Sequence, residues 1–472
     1  MIVSTDHHLM KLHLAIALLA VYSSSAADRK LTALIVDGMN NHDWAAGTRA
    51  IQSILEGSGR FTVDVSTFPS RPEFFRYDVV INNFNGGHTA DGARWPHDVE
   101  LALESYVKNG GGLVVYHAAN NAFLNWPEYN QMIGLGWRDK SFGEGIAVGP
   151  GGALVRVPKG EGLNPGHGPR HDFELYVRDA SHPITRGLPA HWLHPSEQLT
   201  HGQHGPAQGL EILTYAFSEI SHQGEPMDWV RNYGRGRVYT TMLGHTWKGE
   251  LNPNLDDVAF QALLARGAEW AATGKVTLAA DLGWRPLFNA KSLEGWQPRG
   301  ECLWSVLPDG TLLGKRTAGS ASSQAWLYTT AEYGEFDLHV EYWIPAGGNS
   351  GVSIRDRSRA AAAIGETLPY TTPAHVGYEI QIIDDDAETY PTGSVYLFAA
   401  GRTGVHRPGA WNSLDIESRN PLIRVRLNGQ IVAESPGDPA RPKVGPIGLQ
   451  LHDRFSTAMF RNIRIRHASS PR

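Results

Sequence analysis

Near Ala271 the sequence changes texture, and that change divides the chain. Before it, apolar strands alternate with amphipathic helices. After it, about a dozen short strands follow one another between Gly, Pro and Asn turns, with no long helix among them. The first texture builds a mostly parallel sheet covered by helices. The second builds an antiparallel two-sheet sandwich or jelly roll. A chain of 472 residues is also too long for one ordinary core. The spacing therefore predicts an α/β domain over residues 28–278 and an all-β domain over residues 281–468, joined at about 271–280.

Residues 1–27 read as a secretory signal peptide. Met10 and Lys11 precede the apolar run Leu14 to Val21, and Ser25-Ala26-Ala27 suits a small-residue cleavage site. Met10 is a second candidate start. The run is too short to span a bilayer, and no later segment is apolar enough to do so. The expected location is periplasmic or extracellular. Cys302 is the sole cysteine, so no disulfide forms within the chain and stability rests on core burial. The net charge of -6, with no long basic run, argues against nucleic acid as a partner.

In the first domain, strands are expected at Leu31 to Asp37, Phe61 to Val65, Asp78 to Asn82 and Leu113 to Tyr116, and helices at about Trp44 to Leu55 and Pro96 to Lys108. Ligands of such sheets bind beyond the carboxyl ends of the strands. His42, His88 and His117 fall there, and His245 follows a later strand, Arg237 to Leu243. His42, His117 and His245 suit a divalent metal with an open position. One of them, His117 in particular, equally suits acid–base work near neutral pH. Glu197 joins them as a catalytic candidate. His201 and His204, spaced i and i+3, are weaker candidates.

In the second domain the stretch Gly377 to Asp384 alternates. Tyr378, Ile380 and Ile382 point one way, and Glu379 and Gln381 the other. Two more strands repeat the pattern. Val352 and Ile354 oppose Ser353 and Arg355, and Leu449 and Leu451 oppose Gln450 and His452. Carboxylate, amide and guanidinium groups gathered on one face suit a concave ligand surface. Glu379, Arg355, Gln381 and His452 are the catalytic candidates here. Asn349, Tyr396, Trp411 and Gln450 are the substrate-binding ones. Asp384-Asp385-Asp386 offers oxygens for a hard cation but reads first as a solvated turn.

Jointly, several segments carry a resemblance. The first domain has His42-Asp43-Trp44, the run Gly110 to His117, the run His182 to Leu188, Glu197, the run Gly234 to Tyr239, and Leu243-Gly244-His245. These segments resemble the trehalose-utilisation (ThuA-like) family. The resemblance implies a flavodoxin-type, class I glutamine-amidotransferase-like fold. No Cys stands near His117 where a glutaminase nucleophile would be, so glutaminase chemistry is excluded. The second domain, from Leu287-Phe288-Asn289 through the runs Gly348 to Arg355, Gly377 to Asp384 and Gly445 to Gln450, is similar to the 3-keto-disaccharide hydrolase family. That similarity implies a concanavalin-like β-sandwich (jelly roll) that cleaves glycosides or disaccharides oxidised at sugar C3, by hydrolysis or by elimination.

A ketone at C3 acidifies the C2 hydrogen. The site then needs a base for that hydrogen, donors for the enolate oxygen and an acid for the leaving oxygen. Three readings follow for the fused chain: a secreted enzyme cleaving 3-keto-glycosides, an N-terminal enzyme fed by a carbohydrate-binding sandwich, or a sandwich enzyme on an N-terminal scaffold.

Overall fold

The computed structural model describes residues 29–86, 93–316, 324–361 and 372–468. The leader 1–27 and His88 lie outside them. The N-terminal domain is a sheet between two helical layers. Its strands are β1 (Leu31–Asp37), β2 (Phe61–Thr67), β3 (Val79–Asn82), β4 (Gly112–Tyr116), β5 (His171–Val177), β6 (His191–Glu197), β7 (Glu211–Ser218), β8 (Gln223–Tyr233) and β9 (Gly236–Thr241). They run in the order β2-β1-β3-β4-β9-β8-β7-β5-β6. The pairs from β2 to β9 are parallel, and those beyond are antiparallel.

Both faces of the parallel strands are apolar, and strand alternation splits their side chains between two cores. Ala33, Ile35 and Val114 pack with Ile51, Leu55, Leu263 and Leu264. Leu34, Val36, Leu113 and Val115 pack with Val99, Leu103 and Met132. The first core is closed by helices α1 (Trp44–Gly57) and α4 (Val258–Thr273), the second by α2 (His97–Lys108) and α3 (Pro127–Ile133). Asp43 caps α1 by accepting from the Ala46 N–H at 3.0 Å, and Asp257 caps α4 through the Ala259 N–H at 2.9 Å. Helix α4 ends at Gly274, whose φ of 74° is the left-handed conformation of a C-terminal cap.

The second domain is a sandwich of two antiparallel sheets. The smaller has β10 (Trp296–Arg299), β13 (Ala325–Thr329), β15 (Asn349–Ile354), β16 (Tyr378–Ile383) and β20 (Ile447–Leu451), in the order β10-β13-β20-β15-β16. The larger has β11 (Cys302–Val306), β12 (Leu312–Arg316), β14 (Phe336–Trp343), β17 (Asn412–Ser418), β18 (Ile423–Leu427), β19 (Gln430–Ser435) and β21 (Thr457–His467), in the order β11-β12-β21-β14-β17-β18-β19. Val352, Ile354, Tyr378, Ile380, Ile382 and Leu449 meet Leu338, Val340, Leu414 and Val425 in one core. The expected alternation in β15, β16 and β20 therefore holds.

Four local readings change. Strand β6 was not expected. Its sequence, His-Trp-Leu-His-Pro-Ser-Glu, lacks alternation, and its pairing with β5 supplies what local pattern does not. Helix α3 and the hairpin Glu144–Val148/Leu154–Val157 were not expected either. The expected strand Val395 to Phe398 is instead a turn. Leu397 sits at φ 70°, and the N–H groups of Phe398 and Ala399 both bond to the Val395 carbonyl. No helix among the described residues is long and apolar enough to cross a membrane.

The domains meet along a seam of buried charge. Glu341 accepts from Arg461 Nε at 2.6 Å, Asn462 Nδ2 at 2.7 Å and the Leu193 N–H of the other domain at 3.2 Å. Arg461 also reaches Glu174, and Asn462 donates to the His191 carbonyl. Burial opposes the Glu341 charge, yet Arg461 and His339 pull its pKa down to about 2.

Candidate functional sites

The parallel strands bring three imidazoles together. His42 lies on the loop after β1, His117 directly follows β4, and His245 follows β9. Their ring centroids stand 5.1 Å (42–117), 4.2 Å (42–245) and 5.0 Å (117–245) apart. One ring nitrogen from each lies within 4.8 Å of the other two. His117 adopts φ 43°, which turns its ring under the neighbouring strand so that Nδ1 meets the Met242 carbonyl at 2.5 Å. Burial holds the His117 pKa below its usual value against the pull of Glu197. Burial, with His117 and His42 beside it, holds His245 far lower. Both rings are therefore neutral at pH 7.

A cavity of about 570 Å³ opens over this cluster, in the size range of small-molecule sites. His42 and His245 line it, with Asn121, Trp137, Gln198 and Arg170 among the others. Trp247 stacks on His245 at 3.8 Å, and the Arg170 guanidinium lies 4.0 Å over the same indole. Sequence reasoning missed this wall. The signal was present in Gly244-His245-Thr246-Trp247, where an indole stands two residues beyond the histidine.

Glu197 belongs to this region in a different role. It is fully buried and accepts from the N–H groups of Gly244 (2.6 Å), His245 (3.3 Å) and Gln198 (2.8 Å), and from Asn254 Nδ2 (2.8 Å). Burial opposes its charge, but His194 holds its pKa below the usual value. Glu197 thus holds the backbone that carries His245, and its side chain does not line the cavity. The weaker candidates stand apart. The His204 ring is tied to the carbonyls of Gly143 and Leu163. His201 is buried and does not line the cavity.

The sandwich holds a second constellation. Ser353 pairs with Glu379, Gly351 with Gln381 and Asn349 with Ile383. Across β20, Gln450 pairs with Trp326. Directly paired residues share a face, so Asn349, Glu379, Gln381 and Gln450 gather as expected. The face is not open, however. Glu379 is 4% exposed and Gln450 0%. Trp326, Tyr328 and Ala360 form a small separate cluster on that side. Gln450 Nε2 donates to Glu379 Oε1 at 2.8 Å. A side chain at Gly351 would place its Cβ 2.9 Å from the same oxygen, so glycine is required for this approach.

Buried Asn349 Oδ1, Glu379 Oε2, Gln381 Oε1 and Gln450 Oε1 have no hydrogen-bond partner. Such groups are rare in proteins and call for explanation. Burial, reinforced by Asp356, pushes the Glu379 pKa up to about 8. Tyr396 stands beside it, half-buried, with its N–H on the Glu379 carbonyl.

Three expected members of this face lie elsewhere. Arg355 falls just past β15 at φ 59°, a turn that breaks the alternation. Its guanidinium bonds to Asn420 Oδ1 (3.1 Å) and the Arg419 carbonyl (2.8 Å) in the opposite sheet's loop. His452 stands beyond the end of β20, beside Asp453 and Arg316. Trp411 lies under Arg461 at 4.0 Å on the domain seam. Asp384, Asp385 and Asp386 accept from the N–H groups of Gly347, Ala387 and Gly404, as a capped turn does.

Comparison with known proteins agrees with this division. A ThuA-like protein from Parabacteroides merdae is 37% identical, over 53% of this chain and 93% of its own, with a TM-score of 0.49. A candidate glycosyl hydrolase from Parabacteroides distasonis is 24% identical, over 40% of this chain and 95% of its own, with a TM-score of 0.33. The carbohydrate-binding module CBM66 from Bacillus subtilis is 16% identical, over 36% and 95%, with a TM-score of 0.26. No curated protein matches the chain. The trehalose-utilisation family matches residues 32–271 and the 3-keto-alpha-glucoside-1,2-lyase-like domain matches residues 283–466, so the chain belongs to the ThuA family and carries a 3-keto-glucoside lyase-like domain behind it.

Proposed function

We propose that this protein cleaves glycosides already oxidised at sugar C3, and that Glu379 moves the proton. The carboxylate of Glu379 takes the C2 hydrogen made acidic by the C3 ketone. The electron pair left on C2 delocalises into the ketone as an enolate. It then returns to form the C1–C2 double bond as the C1–O bond breaks. The aglycone oxygen leaves with the electrons of that bond and takes up a proton. Addition of water to the double bond would complete a net hydrolysis. The amides of Asn349, Gln381 and Gln450 hold the sugar oxygens, and Tyr396 flanks them. A carboxyl with its pKa near 8 suits this work, because a base is most effective when its pKa lies near the working pH.

The observation that carries this reading is the buried Glu379 with an unpartnered oxygen, among three amide oxygens in the same condition. It agrees with a carbohydrate-acting domain of the 3-keto-alpha-glucoside-1,2-lyase-like type. The test is release of aglycone by the full chain from a 3-keto-glucoside and from the same glucoside unoxidised. Turnover of the oxidised substrate alone is expected, and equal turnover of both would sink the mechanism.

A second reading places catalysis in the N-terminal cavity and binding in the sandwich. It is favoured by the openness of the histidine cavity beside the closed Glu379 face. Retained activity in Glu379→Gln would decide for it. On either reading we take the α/β frame as flavodoxin-type, from the order β2-β1-β3-β4, and the sandwich as a concanavalin-like jelly roll. The apolar run Leu14 to Val21 supports work outside the cytoplasm.

A further inference from the structure

We propose that His42, His117 and His245 bind one divalent transition-metal ion of the zinc class. A coordination position facing the cavity is left for an oxygen of a polar, sugar-sized ligand. The argument begins with the ring protons. His117 Nδ1 faces the Met242 carbonyl, which can only accept, so that nitrogen carries the hydrogen and the lone pair sits on Nε2. The backbone N–H of His42 donates to Asn40 Oδ1 at 3.0 Å, which identifies that atom as the oxygen. The same oxygen lies 2.8 Å from His42 Nδ1, so this nitrogen too is the donor and Nε2 carries the lone pair. His245 is 8% exposed, and its Nδ1 is buried with no hydrogen-bond partner.

Metal-bound histidines are commonly held in this way, with the second nitrogen on a carbonyl or carboxylate that fixes ring and tautomer. Here Asn40 and Met242 hold two rings. The third is set by Glu197 through its backbone and by Trp247 through stacking. Three nitrogens around zinc at its usual bond length stand about 3.4 Å apart. The 4.8 Å limit of this cluster closes to that by modest ring rotation, which the loop-borne His42 permits. An all-imidazole set suits zinc, cobalt, nickel or iron and does not suit calcium or magnesium. His42 and His245 line the cavity, so the coordination position left by three ligands opens there. Asn121, Gln198 and Arg170 offer the polar contacts a hydroxylated ligand needs.

The test is metal binding by the full chain, and it stands apart from turnover at Glu379. Protein stripped with a chelator is titrated with Zn²⁺, and with Co²⁺ as a visible-absorbing substitute. One ion per chain is expected, with a rise in the unfolding midpoint on binding. His42→Ala, a half-exposed loop substitution that spares the core, should weaken binding at least about a hundredfold. His117→Ala should do the same where it folds. Asn40→Ala should cost about tenfold to a hundredfold through loss of the ring's outer support. His97→Ala, exposed on α2, should change nothing. Equal affinity in the wild type, His42→Ala and Asn40→Ala would overturn the proposal.

Discussion

The two candidate sites are mounted differently, and the difference separates two kinds of pre-organisation. The histidines stand on segments that leave β1, β4 and β9, so the rings are aimed by local turns, with an outer hydrogen bond on His42 and on His117 and the stacked Trp247 on His245. Glu379, Gln381 and Gln450 stand inside strands, where register alone fixes their neighbours. Loop-borne rings can close on a ligand. A strand-borne carboxyl cannot move far, and the sheet holds it out of water. Both sites keep titratable groups neutral by burial, but with opposite sense: imidazole pKa values go down and the carboxyl goes up.

The sharpest way to break this comparison is at the seam that makes one body of the two domains. Glu341→Ala would take one of two carboxylates from each of Arg461 and His339, which keep Glu174 and Asp415, and would remove the acceptor of the Leu193 N–H across the seam. A cost of about 3–5 kcal/mol is expected in denaturant unfolding of the full chain. A cost below about 1 kcal/mol would mean that the seam is solvated and the domains are independent.

Next in size is the carboxyl itself. Glu379→Gln should lower turnover of a 3-keto-glycoside at least about a hundredfold. The fold should survive, and above pH 8 it should be more stable than the wild type. The folded carboxyl keeps its proton up to about pH 8, whereas the unfolded one releases it near its ordinary value. Wild-type stability therefore falls as pH rises between those two values, by up to about 5 kcal/mol. Glutamine removes that slope. An unfolding midpoint with the same pH dependence in both proteins would show that Glu379 is not desolvated.

The same pKa predicts the pH profile. If Glu379 is the base, kcat/KM should rise about tenfold between pH 7 and pH 9 and level off above the carboxyl pKa. A profile that falls through pH 8 would make Glu379 the acid that serves the leaving oxygen.

Much of this was legible in the sequence, for reasons particular residues show. Strand β16 was readable because Tyr378, Ile380 and Ile382 alternate with Glu379 and Gln381, and register then fixed the face. The histidines were readable because parallel strands end together and His42, His117 and His245 each follow one. What alternation cannot foresee is a change of backbone sign. Arg355 at φ 59° leaves its expected face, and Leu397 at φ 70° turns an apolar run into a bend. Nor does a strand pattern say what lies above the strand. The burial of Glu379, which raises its pKa, is set by the fold around it and not by its own strand. Trp411 went astray for a similar reason, since the domain seam exists only in three dimensions.

The smallest effect tests the loop-mounted side of the comparison. Asp43 follows His42 and caps α1. It accepts from the Ala46 N–H at 3.0 Å, while its carbonyl accepts from Thr246 Oγ1 at 2.9 Å, next to His245. Asp43→Ala removes only the side-chain cap, so about 1 kcal/mol of stability should be lost. The backbone tie to Thr246 remains. If the histidine loops are aimed mainly by their own outer hydrogen bonds, metal affinity should change less than in Asn40→Ala, although Asp43 is nearer in sequence to His42. If Asp43→Ala weakens binding as much as Asn40→Ala does, the helix cap and the ring share one support. The site would then be as rigidly mounted as the carboxyl in the sheet.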